Sequence, residues 1–231
     1  MKKTIILLTI ISLSVACTKK EIWPTVSVTG FVKLVDESGT EVFDRNDITV
    51  AIKGSSSYTK TDKNGKYVFT GLQAGTSYSF DISKDGYGTA SSFGYKFIGD
   101  QKPGLISTTT LYQVPTIELQ SATIQYLDDV ITISGQITPT NSFKIVAYAN
   151  DSAAVSDTHY DYYSGSSIYT GFGYSSFQIG IPLNNSNYFP GTTVYVAVYF
   201  YNVSDNGNWD SEMNNYKYSS GKKAGLLKIT L

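Results

Sequence analysis

With 231 residues, 41% of them hydrophobic, the chain is long enough for one or two packed domains. Its 18 basic and 19 acidic residues leave a net charge of −1 and form no basic stripe, which excludes a nucleic-acid footprint. One histidine and one cysteine exclude zinc held by those ligands and any disulfide within the chain, so packed cores must hold the fold.

The chain opens MKKTIILLTIISLSVAC, in which Lys2 and Lys3 precede a short apolar core from Thr4 to Leu13 and small residues run up to Cys17. This reads as a secretory signal, too short to span a bilayer permanently. Ser14 and Ala16 before the cysteine resemble a bacterial lipobox, with the usual leucine one place further out, at Leu13. The resemblance implies removal of residues 1–16 and lipidation of Cys17, the one membrane contact expected. A lone cysteine at that site supports an anchor, since a secreted chain otherwise gains only a free thiol. The mature chain then carries 16 basic and 19 acidic residues, a net of −3. Residues 17–25 form a lipidated tether. Thr18 does not look like an inner-membrane retention signal, so the expected address is the outer membrane of a cell envelope, on either its periplasmic or its surface face.

From Val26 onward, period-two alternation dominates. Val26, Val28, Val32 and Leu34 form one run, Ile48, Val50 and Ile52 a second, and Tyr78, Phe80 and Ile82 a third. Turn clusters separate them, at Asp36–Gly39, Gly54–Ser57, Lys63–Gly65 and Asp85–Gly86. A second series begins at Thr123, after a break near Pro115. It includes Ile131, Ile133 and Ile137, then Phe143, Ile145 and Ala147, then Phe177, Ile179 and Ile181. In TTVYVAVYFYNV (192–203), Val194, Val196, Val198 and Phe200 face one way and Tyr195, Ala197, Tyr199 and Tyr201 the other. Short strands with no helical window predict an all-β chain of two tandem antiparallel β-sandwich domains, 26–118 and 119–231.

The stretch TDKNGKYVFTGLQAG (61–75) places Asp62, Asn64 and Gly65 at spacings suggestive of a calcium loop. No bidentate glutamate closes it, and Lys60, Lys63 and Lys66 surround it with positive charge. The expectation is therefore a type I′ hairpin turn, with positive φ at both Asn64 and Gly65.

Several of these pieces, in this order, resemble the carboxypeptidase regulatory-like family: VTGFVKLVD (28–36), ITVAIKG (48–54), TKTDKNGKYVFTGLQAGTSY (59–78) and KDGY (84–87). The resemblance covers about residues 26–118 and implies a transthyretin-like sandwich serving as a non-catalytic spacer or docking unit. In the second half, PGTTVYVAVYFYN (190–202) resembles the penultimate strand of a fibronectin type III-like domain. Lipoproteins built from two such sandwiches resemble accessory proteins of Gram-negative glycan foragers.

Enzymes of the common types need residues the chain scarcely holds. His159, in SDTHYDYYSG, is the sole histidine and no G-x-S-x-G elbow accompanies it. Carboxylates are numerous enough for glycoside hydrolysis, but that chemistry needs a deep cleft that small sandwiches rarely supply. The expectation is no enzyme and no cofactor. An acidic loop, VSDNGNWDSEMNN (203–215), supplies an alternative metal set in Asp205, Asp210 and Glu212, with Asn206 and Asn208, against the plainer reading of a polar connection. Asp151-Ser152-Ala153 resembles a short O-glycosylation motif of Gram-negative periplasmic systems.

Tyrosine outnumbers phenylalanine, 19 to 11. HYDYYSGSSIYTGFGYSSF (159–177) holds Tyr160, Tyr162, Tyr163, Tyr169, Phe172 and Tyr174, and Trp209 sits in the acidic loop. These aromatics suit a sugar platform, a protein-binding surface, or simply half-exposed strands. The leading expectation is a non-enzymatic, lipid-anchored accessory protein making protein–protein or structural contacts. The alternative is a glycan-binding lipoprotein of a polysaccharide uptake system. Tyr160, Tyr162, Tyr163, Tyr169, Tyr174 and Trp209 are the candidate ligand contacts.

Overall fold

A computed structural model describes residues 24–98, 104–183, 188–210 and 215–231. Among them there is no helix, and the chain is all-β. The first half contains β1 (Thr25–Val35), β2 (Glu41–Val42), β3 (Thr49–Ile52), β4 (Tyr58–Lys60), β5 (Lys66–Gln73), β6 (Ser77–Ser83), β7 (Ala90–Lys96), β8 (Gly104–Leu105) and β9 (Thr109–Tyr112). One sheet centres on β1, flanked by β2 and β5, and the facing sheet runs β4-β3-β6-β7. The alternating residues of β1, β3, β5 and β6 meet between them, with Val28, Val32, Leu34, Ile48, Val50, Phe80 and Ile82 completely buried. Two of the pairings in this half are not antiparallel: β8 and β9 join β1 in parallel. The chain leaves β7 in the facing sheet and crosses back, so its last strands arrive running with β1.

The 61–75 turn forms, but by different geometry. Gly65 has φ +79°, whereas Asn64 is not among the residues with positive φ. Gly65 N–H donates to Asp62 O at 2.8 Å and Asp62 N–H to Lys66 O at 2.9 Å. That is a three-residue loop closed by a left-handed glycine rather than a type I′ pair. The flanking strands belong to opposite sheets, since β4 pairs with β3 and β5 with β1. Asp62 Oδ1 accepts from the N–H groups of Asn64 (2.8 Å) and Lys66 (3.0 Å), so its carboxylate stiffens the loop.

The second half contains β10 (Leu119–Leu127), β11 (Val130–Asn150), β12 (Tyr162–Tyr163), β13 (Ser167–Pro182), β14 (Thr193–Tyr201), β15 (Asn208–Asp210), β16 (Asn215–Lys217) and β17 (Lys222–Thr230). The 21-residue β11 belongs to both layers. Its first half lies between β10 and β13, and its second half between β12 and β13 on one side and β14 on the other. Register shifts against β13 between Gln136 and Ser142 mark the bend. The inner face buries Ile131, Ile133, Ile137, Phe143, Ile145, Phe177, Ile179, Val194, Val196, Val198 and Phe200. The opposite face of β14 is also covered. Val146, Tyr148, Ala197, Tyr199 and Tyr201 form a smaller cluster there with Val155, whose segment folds back over the sheet.

The two halves meet where β1 ends. Asn202, just past β14 and 1% exposed, donates from Nδ2 to Asp36 O at 2.7 Å and Gln113 O at 3.3 Å. Glu37 accepts from Thr116 N and Oγ1 at 2.8 and 2.9 Å. Gly88 lies so close to Ser219 O that a Cβ would sit 1.9 Å from it.

Candidate ligand-binding surface

The bend in β11 and β13 separates the tyrosines that the sequence groups together. Tyr160 and Tyr163 pack on the outer cluster, with ring centroids 4.8 and 6.5 Å from Tyr148. Tyr162, on the inner side, meets Tyr188 at 5.2 Å, and Tyr188 donates to Asp161 Oδ2 at 2.8 Å. Tyr169 and Tyr174 lie beyond the bend and pack against Phe143. Tyr169 stacks on that ring at 4.6 Å and 5°, with Tyr174 edge-on to Tyr169 at 5.5 Å. A single five-tyrosine platform does not exist. The letters are contiguous, but alternation and the bend send them to different faces.

Tyr169 and Tyr174, which pack against the inner core, rim an open groove of about 580 Å³ along the β10-β11-β13 layer. Pairing register builds its floor. Ser121, Gln136 and Ser176 stand abreast across three strands, and Thr123, Ser134 and Gln178 form the next row. Ile133 and Ile137 point into the core, so Ser134 and Gln136 between them point out. Neither β10, nor β11 as far as Thr138, nor β13 contains a charged residue. The Tyr169 hydroxyl donates to Gln178 O at 3.1 Å and accepts from Gln178 N–H at 3.4 Å, fixing its ring at the groove edge. Six hydroxyl or amide side chains, each able to donate and accept, thus face solvent beside two held rings. The composition of 119–127, 130–138 and 167–182 contains a signal for this surface, an absence of charge in the strands on either side of the Asp128-Asp129 turn, which strand-by-strand reading overlooks.

The acidic loop has a different role from a metal cradle. Asp205 is 1% exposed, and its Oδ2 accepts from Ser219 N (2.8 Å), Ser219 Oγ (3.1 Å), Ser220 N (2.8 Å) and Ser220 Oγ (2.8 Å). Its Oδ1 accepts from Gly207 N–H at 3.0 Å, and its backbone carbonyl accepts from buried Lys144 Nζ. With five protein donors, the carboxylate is committed to holding the loop, which favours the plainer reading of a polar connection over the alternative metal set. Burial lowers the Lys144 pKa, opposed by the Asp205 charge, and the Tyr218 ring lies 5.0 Å from the ammonium. Trp209 and Asp210 lie on β15, with Trp209 opposite Tyr216 of β16. Glu212 and Cys17 fall outside the described residues. Among those described, no three His, Cys, Asp or Glu side chains converge. His159 is exposed in a tight turn closed by its bridge with Ser156. Ser152 Oγ accepts from Ala154 N–H at 3.2 Å, within the turn that carries Asp151-Ser152-Ala153.

No family model matches this chain, and no curated protein matches it. Among solved structures it is similar to a protein from Bacteroides uniformis ATCC 8492 to which carbohydrate binding is attributed, at 15% identity and TM-score 0.35, over 89% of this chain and 99% of that one. It is also similar to DUF3823 family proteins from Parabacteroides merdae ATCC 43184 (10% identity, TM-score 0.29, 77% and 91% of the two chains) and Bacteroides ovatus ATCC 8483 (12%, 0.30, 90% and 99%). At such scores these likenesses carry no functional argument.

The buried tyrosines of both halves make a testable electrostatic statement. Burial is the main cause raising the pKa of Tyr148, Tyr201 and Tyr67 far above the ordinary phenol value. In the unfolded chain these phenols lose protons near pH 10, while in the folded chain they keep them. Their contribution to stability is therefore complete below about pH 10 and declines as pH rises beyond it. Alkaline titration followed by phenolate absorbance is expected to show a group of tyrosines ionising only with unfolding. A single titration of all tyrosines near pH 10 would contradict their burial.

Proposed function

We propose that the protein is a non-enzymatic, lipid-anchored binding protein of the cell envelope that takes a neutral glycan on the outer face of its second domain. The observation that carries this reading is the pair of uncharged rows, Ser121-Gln136-Ser176 and Thr123-Ser134-Gln178, beside Tyr169 and Tyr174. A sugar presents apolar ring faces and many hydroxyls, and this surface offers aromatic faces with small groups that donate and accept. The volume lies in the range of ligand sites, and the lack of charge favours a neutral ligand. The first domain serves as a spacer, consistent with the hydrogen-bonded junction at Asn202.

The test is a glycan array probed with the chain in a zwitterionic detergent, free of sugar head groups. Tyr174→Ala is expected to weaken binding about tenfold, the equivalent of one lost aromatic contact. Gln136→Ala should weaken it as well, while Tyr163→Ala, on the other face, should leave it unchanged. A blank array would reject the glycan.

A second reading, protein–protein interaction, is favoured by one observation. Within the described sheets β13 pairs only with β11, so apart from Gln178, whose backbone groups the Tyr169 hydroxyl bonds, its outer edge has no strand partner and could take an added strand; Ile168 on it is 54% exposed.

A further inference from the structure

The start of β1, the turn after β5 and the end of β7 converge at one tip of the first domain. Ala74 N–H donates to Pro24 O at 2.9 Å, and Gly75 N–H donates to Phe97 O at 2.7 Å. At this tip Ile98 and Leu105 are 66% and 72% exposed. With Val26, Tyr95, Phe97 and the exposed Lys96 they line a recess of about 250 Å³ of mixed apolar and polar surface. Soluble domains seldom leave two large aliphatic side chains this bare beside half-exposed rings.

We infer that this tip is a membrane-docking surface, which inserts Ile98 and Leu105 into the interface of the bilayer that holds the acyl chains on Cys17. The inference rests on the lipid anchor of the proposed function. Seven residue steps separate Cys17 from Pro24, so the tether spans at most about 24 Å and keeps this end within that distance of the lipid. The chemistry fits the interface: aliphatic groups enter the acyl boundary, Tyr95 and Phe97 sit at head-group level, and the Lys96 ammonium reaches lipid phosphates. From Val26 to Leu34, β1 runs about 26 Å away from the tip, toward the junction with the second domain. Docking therefore stands the first domain upright and carries the glycan surface outward.

The test uses the full lipidated chain in vesicles of phosphatidylethanolamine and phosphatidylglycerol. The N-terminal mass is read first, and acylated Cys17 leaves an introduced cysteine as the only thiol. A fluorescent label at Ile98→Cys or Leu105→Cys is expected to be quenched by spin-labelled lipid at least about threefold more than one at Phe43→Cys, which is 82% exposed toward the far end. The double variant Ile98→Asp, Leu105→Asp should stay with the vesicles through its acyl chains, yet lose the quenching of a label at Lys96→Cys. Acylated chain with equal quenching at positions 98 and 43 overturns the docking surface and leaves the anchor standing. An unacylated Cys17 overturns both.

Discussion

Replacing Gly65 with valine lowers the melting temperature of the first domain by at least about 10 °C, which corresponds to roughly 3 kcal/mol in a domain of this size. Two independent features require glycine here. At φ +79° the backbone is left-handed, a region where a β-branched side chain is strained. A Cβ would also lie 2.2 Å from Val32 O, the carbonyl of a β1 residue whose N–H donates to Gly65 O at 2.8 Å. The loop that turns between sheets is thus pressed against the central strand, and neither can retreat without breaking that bond. Thermal unfolding of Gly65→Val followed by circular dichroism checks this, and an unchanged transition would mean that the loop does not dock. Asn64→Ala, which keeps a common φ, is expected to shift the transition by less than about 2 °C, whereas a type I′ turn would make it costly.

Asp205→Ala is expected to destabilise the second domain by about 3 kcal/mol, near 10 °C in melting temperature. The change strands the donors of Gly207, Ser219 and Ser220 in a buried region and leaves Lys144 without the nearby charge that offsets its burial. The effect reaches the junction as well. Ser220 Oγ accepts from Asn202 N–H at 3.0 Å, and Asn202 in turn holds Asp36 and Gln113 of the first domain. Asp205→Asn keeps one carbonyl acceptor and should lose about half as much. Calorimetry with and without calcium separates this role from a metal site. Calcium raising the transition of the native chain but not of Asp205→Ala would assign the loop to a metal after all.

Much of the architecture was legible in the chain. Alternation located β1, β3, β6 and β14, because a strand buried on one face repeats its apolar residues every second position. In β14 it even separated the valines of the inner core from Tyr199 and Tyr201 of the outer cluster. The glycine at 65 also signals its turn from sequence, since a left-handed position favours glycine. What failed was the turn type, because the same Asn-Gly pair serves a loop between sheets when the flanking strands pair elsewhere. Nor does local pattern show that β9 runs parallel to β1, since a strand looks the same in either direction.

The candidate site was less legible, for a related reason. The tyrosines of 159–177 attract notice as a cluster of letters, yet Tyr163 and Tyr174 end on different faces because β13 follows the bend of β11. Asp205 reads as a possible ligand until Ser219 and Ser220, fourteen or more residues later, are seen to fold onto it. By itself the sequence determined the strands, the core-facing residues and the uncharged character of 119–127, 130–138 and 167–182, because these are local properties of alternation and composition. Only the tertiary structure decided that Ser121, Gln136 and Ser176 stand in one row beside Tyr169 and Tyr174. Register between strands is set by how whole faces pack, and no single strand contains that information.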